Sequence, residues 1–272
     1  MVSQMNKITQ EKTKKTVTLI LLILAVLAGL FLFLAVRNDF DSGIGHFAEG
    51  SVLFYGFAGF CLASLALCIG FGAWAKKHLT LPGNREVSIP QIFTAYSAAL
   101  VALILFAADV WDMIRFGGYT IPGLAELVTL PGMTVFFVLA VSPARRGGRA
   151  HAIAGMFACL SVNFMLFKSY FDFTLPLNSP IRNALTVMEA ALLLFLLSET
   201  RSILGKNTSF FCHLASGIAV SVMGGIALGL LLVTLIVPAQ VPEGISLLRC
   251  VLCILISGYA ASSLLADRTA KE

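Results

Sequence analysis

The sequence is poor in charged residues, which make up 12% of its 272 residues. That share is about half of what soluble domains usually contain. Hydrophobic residues make up 58%, which leaves too few polar positions to cover a sizeable soluble domain. The shortage of charge therefore excludes a mainly soluble protein and indicates a chain that lies mostly in lipid.

Motifs for the common catalytic sites are missing as well. The sequence contains no G-x-x-x-x-G-K-[ST], G-x-S-x-G or H-E-x-x-H motif and no dinucleotide-binding glycine fingerprint. Its four histidines are scattered and lack the paired spacing of metal ligands. We therefore expect no cofactor and no metal, and an enzyme is less favoured than a non-catalytic membrane protein.

Long apolar stretches are what the sequence has instead. A helix of roughly 20 apolar residues crosses the ~30 Å hydrocarbon layer of a bilayer. Eight stretches of about this length predict an all-α, polytopic integral membrane protein, a bundle of about eight transmembrane helices arranged as helical hairpins. The predicted spans are residues 17–36, 51–75, 92–114, 123–141, 152–170, 181–198, 210–237 and 245–265.

The basic residues fall mainly on alternate connections between these spans. Of the 19 lysines and arginines, 14 lie on one predicted side and five on the other. Under the positive-inside rule the richer side is cytoplasmic, so both termini are predicted to be cytoplasmic. The chain then divides into a basic N-terminal tail at 1–16, one transmembrane domain at 17–265 and a C-terminal tail at 266–272, and the predicted location is the cell membrane. The dispersed basic residues do not indicate a nucleic-acid partner.

Small residues recur along one face of two predicted spans. Glycine or serine repeats at every fourth position of the seventh span, a pattern that lets two helix backbones approach closely. A similar seam runs along the second span. Both seams predict tight helix packing and favour an assembly partner, and a glycine-lined permeation path is the alternative. Their members are Gly217, Ser221, Gly225 and Gly229 in the seventh span, and Gly59, Ala63, Ala66, Gly70 and Ala73 in the second.

Ionisable residues inside the spans mark the candidate site, because charge in hydrocarbon is costly unless it pairs or faces a cavity. Nine such residues fall in the predicted outer half: Asp109, Asp112, Arg115, Glu126, Lys168, Asp172, Arg182, Glu189 and Arg249. Together with neighbouring polar side chains they give the candidate ligand-binding or coupling residues Glu189, Arg182, Thr186, Asp109, Asp112, Asn163, Lys168 and Arg249.

Glu189 is the deepest acid, ~10 Å further along its helix than Arg182 at 1.5 Å per residue. It is expected to face the bundle interior within reach of Arg182, Arg249 or Lys168. A structural interpretation stays open for the charged residues at helix ends, where long side chains reach water and form ordinary surface pairs. Pro131 and Gly132 are expected to interrupt the fourth helix and to free backbone carbonyls.

Three classes of function remain on this evidence. The first is a small-solute carrier or a membrane-embedded solute-binding subunit with an outward-facing polar pocket for a small polar or anionic solute. The second is a non-catalytic sensor or assembly partner, which would bind another membrane protein or form a homo-oligomer. The third is a membrane enzyme acting on a lipid. In the first class Glu189 would bind a proton or cation, and Arg182 or Arg249 would hold an anionic group.

Overall fold

The computed structural model describes residues 2–41, 45–79, 87–117, 120–142, 146–171, 179–238 and 245–266, with side chains from residue 9 onward. These residues form an all-α fold in which eight helices are long and apolar enough to span a membrane, as predicted. The helices are α1 (Val2–Asp39), α2 (Val52–His78), α3 (Ile89–Phe116), α4 (Ile121–Ala140), α5 (Arg149–Tyr170), α6 (Pro180–Ile203), α7 (Ser209–Ile236) and α8 (Leu247–Leu265). The chain is therefore a multi-pass membrane protein.

The first helix begins much earlier than its apolar stretch. The sequence predicts a span from residue 17, whereas α1 starts at Val2 and includes the basic segment. No glycine or proline occurs before residue 17, so nothing in the segment breaks the helix. An ion pair between Lys15 and Glu11, one turn apart, supports this extension.

A short hairpin joins α1 to α2. Strands β1 (Phe40–Asp41) and β2 (His46–Phe47) pair antiparallel. Ser51 then caps α2 by accepting a hydrogen bond from the Phe54 N–H. The Ser51 hydroxyl also donates to Asp39 at the end of α1, so the connection between the two helices is held at both ends.

Six helices pack as a closed ring. Each helix from α3 to α8 packs against the next one, and α8 packs back against α3. Helices α1 and α2 pack against each other and onto α7, and α6, α7 and α8 are the most buried. Large apolar side chains remain exposed on the outward faces of the other helices, where the acyl chains of a bilayer would cover them.

The small-residue seam of α7 packs directly against α1. A Cβ atom added to Gly225 would lie 2.9 Å from the Ala25 carbonyl oxygen, and one added to Gly229 would lie 2.8 Å from that of Gly29. Real Cβ atoms do not approach a backbone oxygen so closely, so only glycine fits at both positions. The predicted tight packing of the seventh span is confirmed: Gly225 and Gly229 lie against α1, and Gly217 lies against Cys68 of α2.

The seam predicted along α2 is not a packing face within this chain. All five of its small residues are exposed, and Cβ atoms at Gly59 and Gly70 would meet nothing within 4 Å. Helix α2 instead buries a face that contains Phe57, Cys68 and Phe71. Acyl chains are as apolar as these side chains, so fit between the helices and not hydrophobic burial decides which face packs inward. The predicted packing of the small-residue seam is not found within this chain, and its packing against another protein stays a prediction.

Helix α4 is continuous through Pro131 and Gly132, contrary to the expected interruption. Proline lacks an N–H, so the Leu127 carbonyl one turn before Pro131 has no regular helical donor. Thr129, two residues before the proline, donates its hydroxyl to the Ala125 carbonyl at 2.7 Å. A Cβ at Gly132 would lie 2.3 Å from the Cβ of Phe157 on α5. The proline–glycine pair therefore marks a close contact between α4 and α5 rather than a break.

A single π-helical turn, Ala219–Met223, interrupts α7 at its middle. Ser257 of α8 donates its hydroxyl to the Val220 carbonyl at 3.2 Å, and Ser221 donates to the Gly217 carbonyl at 2.9 Å. These bonds occupy carbonyls that a wider turn leaves without regular helical partners. The turn is buried where α7 meets α1, α6 and α8.

The orientation of the bundle stays a prediction, and cysteine labelling tests it. We expect a cysteine at Glu49 to react with a membrane-impermeant maleimide on intact cells, and a cysteine at Gly148 only after permeabilisation. The parent protein is the control, because its described cysteines lie inside the spans. The opposite labelling pattern would invert the assigned topology.

Candidate functional site

Five helices contribute charged residues to one end of the bundle. Helices α4, α6 and α8 begin near this end, whereas α3 and α5 finish there. Charges placed within about three turns of those helix ends are therefore brought together although they are far apart in sequence. We call the following five residues the charge cluster: Asp109, Glu126, Lys168, Glu189 and Arg249.

Arg249 is the centre of the charge cluster. Its Nη2 donates to Glu126 Oε1 at 2.9 Å, and its Nη1 lies 3.4 Å from Glu189 Oε1. The planar guanidinium has donors in a fixed fork, which suits it to holding two carboxylates at once. Arg249 therefore joins α8 to both α4 and α6, and the expected pairing of Glu189 with Arg249 is confirmed.

Glu189 faces the interior of the bundle, as expected. It is 2% exposed, and its Oε1 accepts a hydrogen bond from the Ser169 hydroxyl at 2.9 Å in addition to the contact with Arg249. Its Oε2 is buried and has no hydrogen-bond partner among the residues that the structure describes. A buried carboxylate with one unused oxygen retains the capacity to accept a further donor.

Glu126 and Lys168 form the outer edge of the charge cluster. Glu126 is 1% exposed, whereas the Lys168 side chain is 48% exposed, and 3.6 Å separates Nζ of Lys168 from Oε2 of Glu126. That distance permits charge attraction but is too long for a hydrogen bond. Within the described part of the chain, Glu126 Oε2 likewise lacks a hydrogen-bond partner.

The two aspartates of α3 occupy different surroundings. Asp109 is partly buried and lies near enough to Glu126, Lys168 and Arg249 to interact with them electrostatically. Asp112 is exposed near the end of α3, and so is Arg115. Asp109 belongs to the charge cluster, whereas Asp112 lies at its rim.

Three of the candidate residues are not among the ion pairs that join the charge cluster within the described residues. Arg182 is 3% exposed and its guanidinium lies over the Tyr170 ring, 5.7 Å from the centroid. Thr186 donates its hydroxyl to the Arg182 carbonyl at 3.0 Å, so its polarity is used within α6. Asn163 is partly buried on α5. Asp172, also named from the sequence, lies outside the described residues.

Sequence reasoning omitted two members of the site from its candidate binding residues. Glu126 was grouped with the outer charges but not with the candidate ligands, because it sits near the start of its span, where acids usually reach water. Its 1% exposure shows that the neighbouring helices cover it. Ser169 carries no sequence signal beyond its position next to Lys168, because serine inside a helix commonly bonds to its own backbone.

A second set of buried polar residues lies on α5 and α6, at the ends of these helices that are farther from the charge cluster. His151 near the start of α5 and Glu199 near the end of α6 are 3% and 7% exposed, and they interact electrostatically. The Gly147 N–H donates to His151 Nδ1 at 3.3 Å, so a neutral ring carries its proton on Nε2. Glu199 lies one residue beyond the predicted sixth span, which ends at 198, so the sequence did not mark it as a charge inside a span.

The chemistry available at the charge cluster is charge pairing and hydrogen bonding. Its carboxylates can accept hydrogen bonds, and Arg249 fixes their positions without itself being exposed, since its side chain is 13% exposed. The Ser169 hydroxyl also lies at this site, and it donates its hydrogen bond to Glu189. The arrangement is suited to holding a charged or strongly polar group inside a largely apolar bundle.

Comparison with known proteins returned no relative: no family model, no curated protein and no solved structure matches this chain.

Proposed function

We propose that this integral membrane protein binds a small solute at the charge cluster, as a carrier or as the binding subunit of a larger transporter. The observation that carries the proposal is the burial of Glu126 and Glu189 around Arg249, where three separate helices meet. Buried ionisable groups in membrane spans are expensive and commonly mark solute or ion pathways. A purely structural ion pair would need one acid for one arginine, whereas two buried acids face the Arg249 guanidinium.

Binding at such a site would also give the protein a means of changing conformation. Solute that alters the balance of charge between α4, α6 and α8 would change how strongly these helices attract one another. A ligand shifts a conformational equilibrium only as far as it binds the two states differently. The charge cluster provides that difference, because its contacts join helices that must separate or tilt for a solute to pass.

A thermal-stability screen tests the proposal. Purified protein in lipid nanodiscs is heated with a panel of small amines, amino acids, organic acids and inorganic ions. We expect at least one solute to raise the Tm saturably, and Glu189→Gln to remove that response while the protein still folds, because the amide keeps the shape but loses the charge.

Glu199→Gln is the matched control for this screen, since Glu199 is a second buried acid on α6 at the other end of the bundle. The solute response should persist in this variant. A response that is equal in the wild type, Glu189→Gln and Glu199→Gln would place solute binding away from the charge cluster and refute the proposal.

The second candidate function is a non-catalytic assembly partner, and the exposed seam of α2 favours it. Gly59 and Gly70 lie on an outward face with open space around them, a surface on which another membrane helix could pack closely. Disulfide cross-linking of single cysteines at Ala63 in native membranes tests this candidate. A specific cross-linked species that Gly59→Leu removes would support assembly through α2, and monomers alone would count against it.

A further inference from the structure

One oxygen of each buried glutamate in the charge cluster lacks a hydrogen-bond donor among the described residues. Oε2 of Glu126 and Oε2 of Glu189 are buried, and neither has a hydrogen-bond partner among the described residues. The other oxygen of each carboxylate is held by Arg249. Because a carboxylate oxygen only accepts, its missing partner must be an N–H or O–H donor or a cation.

Arg249 cannot serve as the anchor for an anionic solute in this arrangement. Both of its terminal nitrogens already face carboxylates, at 2.9 Å from Glu126 and 3.4 Å from Glu189. An anion entering here would have to displace a buried carboxylate from its guanidinium, leaving that charge uncompensated in a low-dielectric interior. The anion-holding role expected for Arg249 from the sequence is therefore disfavoured by the geometry.

The charge balance points to a positively charged ligand. The charge cluster contains three acids and two bases, so it has an excess of negative charge with Lys168 in place and a larger excess once Lys168 is displaced. One of the bases, Lys168, is half exposed and lies 3.6 Å from Glu126 Oε2. An exposed lysine pair of this kind contributes little binding energy, because the long side chain must be ordered to form it.

The number and type of ligand atoms favour an ammonium group over a divalent metal ion. Hard divalent cations take six or more oxygen ligands, and no group of three or more metal-ligating side chains is present in the described residues. Lysine already shows the chemistry that fits, since its ammonium group is attracted to Glu126. A primary ammonium group would bring three N–H donors to the same place.

We propose that the charge cluster binds the primary ammonium group of a small solute, which displaces Lys168 from Glu126 and donates hydrogen bonds to the free oxygens of Glu126 and Glu189. Lys168 then acts as an internal competitor that occupies the edge of the site in the absence of solute. This inference rests on the proposed function, because it names the chemical class of ligand at the same site.

Replacing Lys168 tests the proposal, because loss of an internal competitor should strengthen ligand binding rather than weaken it. The probe is methylammonium, titrated into the protein in nanodiscs at constant ionic strength, with binding measured by calorimetry. We expect Lys168→Met to lower the Kd for methylammonium by on the order of tenfold, since a larger fraction of the protein is then competent to bind. Glu126→Gln and Glu189→Gln should each abolish binding.

Two controls separate hydrogen bonding and local charge from general electrostatics. Tetramethylammonium has the same charge but no N–H donor, so it should bind far more weakly than methylammonium. Arg115→Met removes an exposed positive charge near the same end of the bundle and should leave the Kd unchanged. Lys168→Gln provides a second neutral variant if Lys168→Met folds poorly.

The opposite result would overturn the inference while leaving the proposed function intact. An anion probe such as inorganic phosphate, bound by the wild type and lost in both Lys168→Met and Glu189→Gln, would show an anion site that uses Lys168 directly. Absence of saturable methylammonium binding in the wild type and in both Lys168 variants would also overturn it. The proposed function fails separately, if no solute of any class gives a response that depends on Glu189.

Discussion

Replacing Arg249 by methionine is expected to destabilise the protein by about 3–5 kcal/mol, because it leaves buried acids without their shared cation. Glu126 and Glu189 are 1% and 2% exposed, so water cannot replace the guanidinium. Methionine keeps much of the arginine side-chain volume, which separates the loss of charge from the loss of packing. Reversible unfolding in mixed micelles, or the fraction folded after a fixed heat challenge, measures the effect.

The cause of this loss can be tested by rescue. Adding Glu126→Gln and Glu189→Gln to Arg249→Met removes the uncompensated charges and should restore a large part of the stability. Arg115→Met, at an exposed position on α3, should change stability by no more than about 0.5 kcal/mol. Arg249→Met with wild-type stability, or a triple variant no better than the single one, would contradict the assignment of a buried ion cluster.

Gly225→Leu is expected to have the second-largest effect, a loss of about 1–3 kcal/mol or failure of α1 to dock. The first added carbon alone would lie 2.9 Å from the Ala25 carbonyl oxygen, and backbone cannot move aside as a flexible side chain can. The rest of the leucine would push α7 away from α1. The change in Tm in detergent measures the loss.

Gly59→Leu is the matched control for that experiment. It places the same side chain on a glycine of a membrane helix, but at a position with nothing within 4 Å, so the stability of the monomer should stay near that of the wild type. Equal losses at Gly225 and Gly59 would mean that contact with α1 does not decide the outcome, since the higher helix propensity of leucine favours both variants.

The fold was largely predictable because the membrane imposes a strong and simple rule. Each span must be apolar over about 20 residues and must satisfy its own backbone, so span number and position can be read from composition. The beginning of α1 could not be predicted from this rule, since helix and membrane boundaries are different properties. Lys15 and Glu11 continue the helix although both are too polar to lie in hydrocarbon.

Packing faces were predicted less well than spans. The seams of α7 and α2 look alike in sequence, but Gly225 lies against α1 while Gly59 is exposed. The difference depends on which residues lie on the opposite face of each helix, and in α2 these include Phe57 and Phe71. A pattern of small residues shows that a close approach is sterically allowed, but it does not identify the partner or show that one is present.

The central residues of the site could be predicted from the sequence, but the contacts between them could not. Glu189 stood out because an acid within an apolar helix needs a partner, and Arg249 was one of three basic residues named for that role. The sequence could not show that Glu126 shares the same guanidinium, because the two acids are far apart along the chain. Nor could it show that Arg182, which the sequence places on the same helix face as Glu189, lies over Tyr170.

The central claim, that a solute binds at the charge cluster, is tested most directly by a cryo-EM map of the protein in lipid nanodiscs with the solute that raises its Tm. We expect non-protein density within hydrogen-bond distance of Glu189 Oε2, and loss of that density in Glu189→Gln under the same conditions. A map that shows the solute elsewhere, with Glu126, Glu189 and Arg249 in contact only with one another, would contradict the claim.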